Sequence, residues 1–351
     1  MKKKHRIRDI AALAGVSVGT VDRVIHNRGD VSADSRQKVE KVLADLNYSY
    51  RLNSPLTENA RQFRLLIILP EHTEGDYWES TEKGIESAVH DFANVKLKIK
   101  FLYYNQFDLY SCRKTFNEAL TLKADVVVIG PSFYDETVLF ANQLFMKDVP
   151  YVFIDTAVNN TKPLAFFGPH SFQTGVVQAK LLTTVLEPGR DIAFFHSKRT
   201  GDEASIQSLA RSYGFMSYLK EYFPDINVHS AQYDDADKKL SWQLIDQFFS
   251  EHTNIGGAVV FNTRAYVISE YLKTHNLENI KLIGYGTDKR NIADLKEGYI
   301  SFIISERPEY QGYRAIKTIL EYLLYNKTCE VENYTPIDIL IKETVDFYPI
   351  G

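Results

Sequence analysis

The chain has 351 residues, of which 44% are hydrophobic and 25% charged, with a formal net charge of −4. This length and apolar content can bury a large core, and they predict two or three domains of an ordinary soluble protein. No stretch approaches the roughly 20 apolar residues needed to span a bilayer. The Lys-rich start leads into a polar helix instead of an apolar signal region, so we expect a cytoplasmic protein.

Several chemical classes find no support in the sequence. Cys112 and Cys329 are far apart and have no metal-ligand spacing, so we expect reduced, structural thiols and no metal site. A P-loop, a His-Glu-x-x-His motif and a Gly-x-Ser-x-Gly nucleophile elbow are all missing from the sequence. We therefore expect neither enzymatic activity nor a cofactor.

Residues 6–47 predict three short helices. Gly15 can end the first helix in a left-handed conformation, and Ser17 can cap a second helix that extends to about Asn27. Ser32 can cap a third helix. Apolar residues at spacings of three and four supply the predicted core of the first and third helices: Ile7, Ile10, Ala11, Leu13, Ala14, Val39, Val42, Leu43 and Leu46.

This arrangement is the helix–turn–helix plan, in which the second helix enters the major groove of DNA. Arg23 can read a guanine edge or anchor a phosphate, whereas Val18 and Gly19 offer little hydrogen bonding. The operator sequence therefore cannot be read from this helix. The candidate DNA-contacting residues of the three helices are Ser17, Val18, Gly19, Thr20, Arg23, Asn27 and Ser32.

Charge favours the same interpretation. Residues 1–61 contain 12 Lys or Arg against 7 Asp or Glu, a net charge of +5, so the remainder carries −9. A positive head attracts phosphates through counterion release, and an acidic body stays off the duplex. The alternative is a small three-helix bundle without a DNA-binding role.

The run from Ile10 to Val24 closely resembles the head of the lactose-repressor (LacI/GalR) family of bacterial transcription factors. The resemblance continues in later residues of the head: Val31, Ser32, Arg36, Val39, Leu46, Asn47 and Tyr48. It implies a DNA-binding head followed by an effector domain of the periplasmic-sugar-binding type.

From Arg64 onward, strands alternate with amphipathic helices. Continuous apolar strands such as residues 126–129 belong in a parallel sheet that is covered on both faces. A second series of strands begins after Pro163. The pattern predicts an α/β fold with two doubly wound parallel sheets and a ligand cleft at the carboxyl ends of their strands.

The resemblance also implies a domain division. A late helix, about Pro308 to Tyr325, is expected to cross back to the first lobe, and the tail from Tyr334 to return to the second. The expected parts are a head at 1–49, a hinge at 50–63 and an effector-binding and dimerisation domain at 64–351. Within that domain we expect lobe 1 at about 64–161 plus 302–327 and lobe 2 at about 162–301 plus 328–351.

The resemblance also implies where an effector would sit, and several of these candidates lie in loops that follow strands. Tyr77 and Trp78 could stack on a sugar or belong to an aromatic core. Asp155 could accept hydrogen bonds from sugar hydroxyls or cap a turn. Arg211, in the family's Arg-x-x-Gly-Phe motif, could place donors in the cleft or form a surface salt bridge. Asn262 is a comparable candidate, and Arg264 follows it closely.

Three positions depart from the family's sugar-binding pattern. His170 and Phe172 lie where an Asp is common, residues 284–286 lack the usual Asp, and Glu306 replaces a frequent Gln. Because carboxylates make paired bonds to vicinal hydroxyls, these changes put neutral-sugar recognition in doubt.

We therefore hypothesise that Arg211, His170 and Arg264 favour an anionic sugar derivative. A neutral sugar that other groups recognise, or a lobe that has lost its ligand, are the alternatives.

The junction departs from the family as well. In the family a hinge helix inserts a Leu into the minor groove. Here Pro55 would break a helix begun at Tyr50. Leu56 could still be this wedge in a helix that starts at or after Ser54. The alternative is a plain linker.

These features predict a homodimeric, DNA-binding transcription regulator, most simply a repressor. Twofold-related operator half-sites require two heads. A small sugar-like molecule in the cleft would change lobe closure and thereby the spacing of the heads. The alternatives are a ligand sensor that acts through a protein partner and a secreted sugar-binding transport protein.

Overall fold

The structure is a computed structural model that describes residues 7–25, 31–45, 62–202, 204–234 and 237–348. The chain divides into two compact units, residues 1–60 with 320–328 and residues 61–319 with 329–351. In the described ranges, no helix is both long and apolar enough to cross a membrane. The predictions for Asn27, Leu46, Leu56 and residues 50–61 of the hinge fall outside the described residues.

The N-terminal unit contains the three predicted helices, α1 (Ile7–Ala14), α2 (Val18–Ile25) and α3 (Ala33–Asp45). Gly15 has a φ of +63°, and Ser17 Oγ accepts a hydrogen bond from the Thr20 amide at 3.0 Å. The prediction that Leu13 belongs to the core is wrong, because its side chain is 58% exposed. Among the described side chains, the buried core consists of Ile10, Ala11, Ala14, Val21, Val24 and Val39, and the predicted Val42 and Leu43 pack against it partly buried.

Two six-stranded sheets form the lobes of the larger unit. The strands are β1 (Phe63–Pro70), β2 (Leu97–Tyr104), β3 (Val126–Ile129), β4 (Tyr151–Ile154), β5 (Ala165–Gly168), β6 (Asp191–Ser197), β7 (Val228–Tyr233), β8 (Ile255–Val260), β9 (Lys281–Tyr285), β10 (Phe302–Ser305), β11 (Glu332–Tyr334) and β12 (Asp338–Leu340). The first sheet has the order β11-β5-β4-β3-β1-β2, and the second has the order β12-β10-β9-β8-β6-β7. Within each sheet the paired strands are parallel, except for the antiparallel pair β10 and β12.

Helices connect most of these strands, as the alternating pattern predicts. Parallel neighbours require such crossover connections. The helices of this unit are α4 (Tyr77–Asp91), α5 (Leu109–Ala119), α6 (Tyr134–Met146), α7 (Ser171–Val185), α8 (Ile206–Tyr222), α9 (Lys238–Glu251), α10 (Ala265–Thr274), α11 (Lys289–Glu297) and α12 (Pro308–Tyr325), followed by a 3₁₀ helix at Val345–Phe347. Of α12, only the part up to residue 319 belongs to this unit.

The predicted lobe limits need three corrections. Strand β5 pairs with β4, so it belongs to the first sheet although the expected second lobe began at residue 162. Strand β10 pairs with β9 in the second sheet, although residues 302–305 were expected in the first. Strand β11 pairs with β5, so the tail also contributes to the first sheet. Backbone pairing between strands distant in sequence decides these memberships, and periodicity carries no information about it.

The chain passes between the sheets after β5, after β10 and after β11. After β10, the beginning of α12 packs closely on α4 of the first lobe. A Cβ on Gly84 would lie 1.9 Å from the Glu309 carbonyl oxygen, and one on Gly312 would lie 2.2 Å from the Thr81 carbonyl oxygen. Glycine is therefore required on both helices for this approach.

Helices α7 and α8 make a second close approach in lobe 2. A Cβ on Gly175 would lie 1.9 Å from the Arg211 carbonyl oxygen, and one on Gly214 would lie 1.9 Å from the Phe172 carbonyl oxygen. Since the rigid backbones touch there, this contact fixes the position of Arg211 within its lobe.

We predict that Gly175→Ala lowers the free energy of unfolding by about 1–3 kcal/mol, because the added methyl group overlaps the α8 backbone. Urea denaturation measures this change. Lys180→Ala, on the exposed side of the same helix, is the matched control and should change stability by less than about 0.5 kcal/mol. Equal losses in the two variants would contradict the packing argument.

Candidate functional site

A pocket lies between the lobes of the larger unit, beside the carboxyl ends of strands from both sheets. Its free volume is about 60 Å³, less than the roughly 150 Å³ of a cavity that holds benzene. The lobes are therefore closed on their own side chains. Among the residues that line the pocket are Asp76, Tyr77, Trp78, Asp155, Gln207, Arg211, Asn262, Arg264 and Glu306.

Asp155 joins the two lobes. It follows β4 with a φ of +73°, a left-handed conformation that Asp adopts more readily than most residues. Its Oδ1 accepts a hydrogen bond from the Tyr77 hydroxyl at 2.8 Å, and its Oδ2 accepts one from Gln207 Nε2 at 2.5 Å. Since Gln207 lies on α8, this carboxylate holds the closed lobes together.

Arg211 and Glu306 form an ion pair in the interior. Arg211 Nη2 lies 2.6 Å from Glu306 Oε2, and the two residues are 5% and 4% exposed. Arg211 Nη1 also donates to the Phe261 carbonyl oxygen at 2.9 Å, and its guanidinium lies 4.4 Å from the centre of the Tyr285 ring. The surface salt bridge that we considered for Arg211 is therefore wrong, because both charges are buried.

Burial has the largest effect on the pKa values of Glu306 and Tyr77 in this site. It raises the pKa of the Glu306 carboxyl group to about 7, while Arg211 acts in the opposite direction and Asp155 adds to the increase. Burial and the nearby Asp155 also raise the pKa of Tyr77. The Tyr77 phenol consequently keeps the proton that it donates to Asp155.

Asn262 and Arg264 line the same pocket from the loop after β8. The Asn262 amide nitrogen donates to the Tyr233 hydroxyl at 2.7 Å, and its amide oxygen accepts from the Arg264 backbone at 3.0 Å. The Arg264 guanidinium donates to the Tyr266 hydroxyl at 3.0 Å and lies 5.1 Å from the centre of the Phe107 ring. Both side chains are thus positioned by other residues.

Trp78 combines both of its predicted environments. It lines the pocket, yet it is only 5% exposed. Its ring meets the Tyr77 ring edge-on, with centres 5.2 Å apart. The tryptophan is therefore a buried wall of the pocket.

The placement of His170 and Phe172 in the cleft is wrong. Neither residue lines the pocket. The His170 ring stacks on Tyr334 with centres 5.2 Å apart, and its Nδ1 accepts a hydrogen bond from the Gln173 amide at the start of α7. Phe172 is 40% exposed on the same helix. Pairing of β11 with β5 brings Tyr334 against His170, which the sequence pattern did not reveal.

The anionic-ligand hypothesis loses support for the same reason. His170 lies outside the pocket, and the charge of Arg211 is already compensated by Glu306. The third residue of that hypothesis, Arg264, contacts Tyr266 and Phe107.

Two buried glutamines of the site were missed by the sequence reasoning. Gln207 lies four residues before Arg211 on α8, so helical spacing could have indicated it. Gln311 lies on α12, donates to the Glu306 carbonyl oxygen at 2.7 Å and accepts from the Asp155 amide at 3.1 Å. No spacing signal points to Gln311, because these partners meet only in the folded chain.

We predict a pH dependence of stability from Glu306. Its pKa is about 7 in the folded state, against an ordinary value of 4.5, so the folded state holds an extra proton between these pH values. This contribution is complete below about pH 4.5 and disappears as the pH rises through about 7. The free energy of unfolding of the wild type, compared with that of Glu306→Gln across this range, measures it. A wild-type advantage that grows with pH would contradict the assignment.

Comparisons with known proteins agree with this architecture. The family described as bacterial regulatory proteins, lacI family, matches residues 6–50, and the periplasmic binding protein domain matches residues 66–327. A solved structure from Bacteroides fragilis, assigned as a LacI transcriptional regulator, is 33% identical with a TM-score of 0.78. It covers 82% of this chain and 100% of its own length.

A glucose-galactose binding protein from Geobacillus stearothermophilus has a TM-score of 0.71 at 19% identity and covers 83% of this chain and 100% of its own. This likeness shows the fold alone.

Curated relatives match over shorter regions. The HTH-type transcriptional regulator MalR of Streptococcus pneumoniae is 34% identical over 71 residues, which are 20% of this chain and 22% of that protein. Catabolite control protein A of Staphylococcus epidermidis is 26% identical over 147 residues, 42% of each chain. The chain thus spans about a fifth to two fifths of the length of these relatives. With the helical head, the bilobed body and the Bacteroides fragilis structure matched over its whole length, the chain belongs to the lacI family of bacterial regulatory proteins.

Proposed function

We propose that the protein is a sequence-specific DNA-binding transcription regulator. The observation that carries this proposal is the division of α2 into two faces. Val21 and Val24 are buried, whereas Val18, Gly19 and Arg23 are exposed on the other side. A short helix with its reading face free is what entry into the major groove requires.

The turn before α2 supports the same proposal. Ser17 Oγ accepts from the Thr20 amide and lies 2.8 Å from the Thr20 hydroxyl, so the first turn of α2 is fixed. Ser17 and Ser32 are both exposed at helix N-termini, where hydroxyl and amide donors suit phosphate oxygens. We assign phosphate contacts to Ser17, Thr20 and Ser32 and base contacts to Val18 and Arg23.

The regulator acts as a cytoplasmic homodimer and, in this proposal, as a repressor. A single helix of this size contacts few base pairs, and two heads related by a twofold axis read a palindromic operator. The effector is a small sugar-like molecule in the pocket of the body. Since side chains of both lobes close the pocket through Asp155 and Gln207, a bound ligand changes the lobe arrangement.

The ligand can alter DNA affinity only by preferring one lobe arrangement over the other. Glu306 supports such coupling, because it lines the pocket and also lies in the segment that joins β10 to α12. A ligand that contacts it therefore acts on a connection between the lobes.

We predict that Arg23→Ala reduces affinity for the operator by about 5- to 150-fold, the loss of one good base contact of about 1–3 kcal/mol. Sites mapped across the genome with the wild-type protein supply the operator, and fluorescence anisotropy at physiological salt measures the affinity. The matched control is Lys41→Ala, which removes one exposed charge from α3 and should leave the preference for the operator over random DNA intact.

Unchanged operator affinity in Arg23→Ala would refute the assigned role of this residue. Genome-wide mapping without any enriched sequence would instead refute DNA recognition, and a sensor that acts through a protein partner would take its place.

A further inference from the structure

Three buried polar atoms of the pocket have no hydrogen-bond partner among the described residues: Glu306 Oε1, Gln207 Oε1 and Arg211 Nε. The residues that carry them are 4%, 6% and 5% exposed, and all three line the pocket. A buried polar atom left without a partner has lost its hydrogen bonds to water without replacing them. A ligand that enters the pocket can supply the partners that these atoms lack.

The two oxygens and the one nitrogen need opposite hydrogen-bonding partners on that ligand. Glu306 Oε1 and Gln207 Oε1 accept hydrogen bonds, whereas Arg211 Nε donates one. A hydroxyl group can donate to Glu306 and accept from Arg211 at once. A carboxylate or phosphate only accepts, so it would leave both oxygens without a partner.

The charges around the pocket also disfavour an anionic ligand. Asp76, Asp155 and Glu306 bring three carboxyl groups to its lining, against two guanidinium groups, Arg211 and Arg264. Arg211 is already paired with Glu306 at 2.6 Å. An anionic ligand would thus meet like charges without an excess of positive charge, and like charges brought together weaken binding.

We propose that Glu306 is a specificity-determining residue that, paired with Arg211, accepts a hydroxyl of an uncharged polyol and excludes anionic sugars. The inference rests on the proposed function, because it assigns the chemistry of the same effector site. It also gives the carboxylate a role that a glutamine could not fill. In the Glu306→Gln variant, the neutral amide would leave the Arg211 charge uncompensated and open to a ligand carboxylate.

The test uses the full-length protein and two sets of probes at about pH 8, above the pKa of Glu306. The neutral set is D-glucose, D-galactose and D-mannose, and the acidic set is the corresponding uronic acids. Thermal unfolding with each sugar at millimolar concentration identifies binders, and titration calorimetry gives their dissociation constants. Circular dichroism first establishes that each variant is folded.

For the wild type we expect at least one neutral sugar to bind about tenfold more tightly than its uronic acid, or more. In Glu306→Gln this ratio should shrink by about tenfold, chiefly because uronic acids bind better to the released Arg211. A gain of acid binding cannot arise from loss of structure alone. Glu309→Gln removes an exposed carboxylate at the start of α12 that does not line the pocket, and it should keep the wild-type ratio.

Uronic acids that bind the wild type as tightly as the neutral sugars would overturn the inference even if Glu306→Gln did not fold. An unchanged ratio in a folded Glu306→Gln protein would also overturn it. If no sugar of either set bound any variant, the sugar-like effector of the proposed function would itself be refuted, while operator binding would remain a separate measurement.

Discussion

The ion pair between Arg211 and Glu306 joins two parts of the body through buried side chains. Its net contribution to stability is the balance between the desolvation of two charges and their mutual attraction. The glycine contact between α7 and α8 fixes Arg211 in lobe 2, and Glu306 lies where the chain leaves β10 for α12. The pair therefore ties a helix of one lobe to a connection between the lobes.

The same arrangement explains how a ligand in the pocket could affect both lobes of the body. Asp155 receives hydrogen bonds from Tyr77 of lobe 1 and Gln207 of lobe 2, and Gln311 of α12 bonds to the backbone on both sides of the pocket. Few of these contacts can survive entry of a sugar into a space of about 60 Å³. A ligand must exchange some of them for its own hydrogen bonds, and the energy difference between the two sets decides which lobe arrangement it favours.

Sequence reasoning located half of the residues that line the pocket, but not their interactions. Tyr77, Asp155, Arg211, Asn262 and Glu306 were selected because they match positions that the family resemblance implies, with the strand ends as support. Their partners were not predictable, because the charge on Arg211 was expected to face a ligand and instead faces Glu306. His170 shows the opposite failure. Its place where the family commonly has an Asp indicated the cleft, but the pairing of β11 beside β5 put it against Tyr334.

By itself the sequence determined the helical head, the alternation of strands and helices and the burial of the apolar strands, because these follow from local propensity and periodicity. Only the tertiary structure decided which sheet contains β5, β10 and β11, and which charges meet in the pocket. Strand pairing and ion pairing join residues far apart in the chain, so their outcome depends on packing that no local pattern encodes.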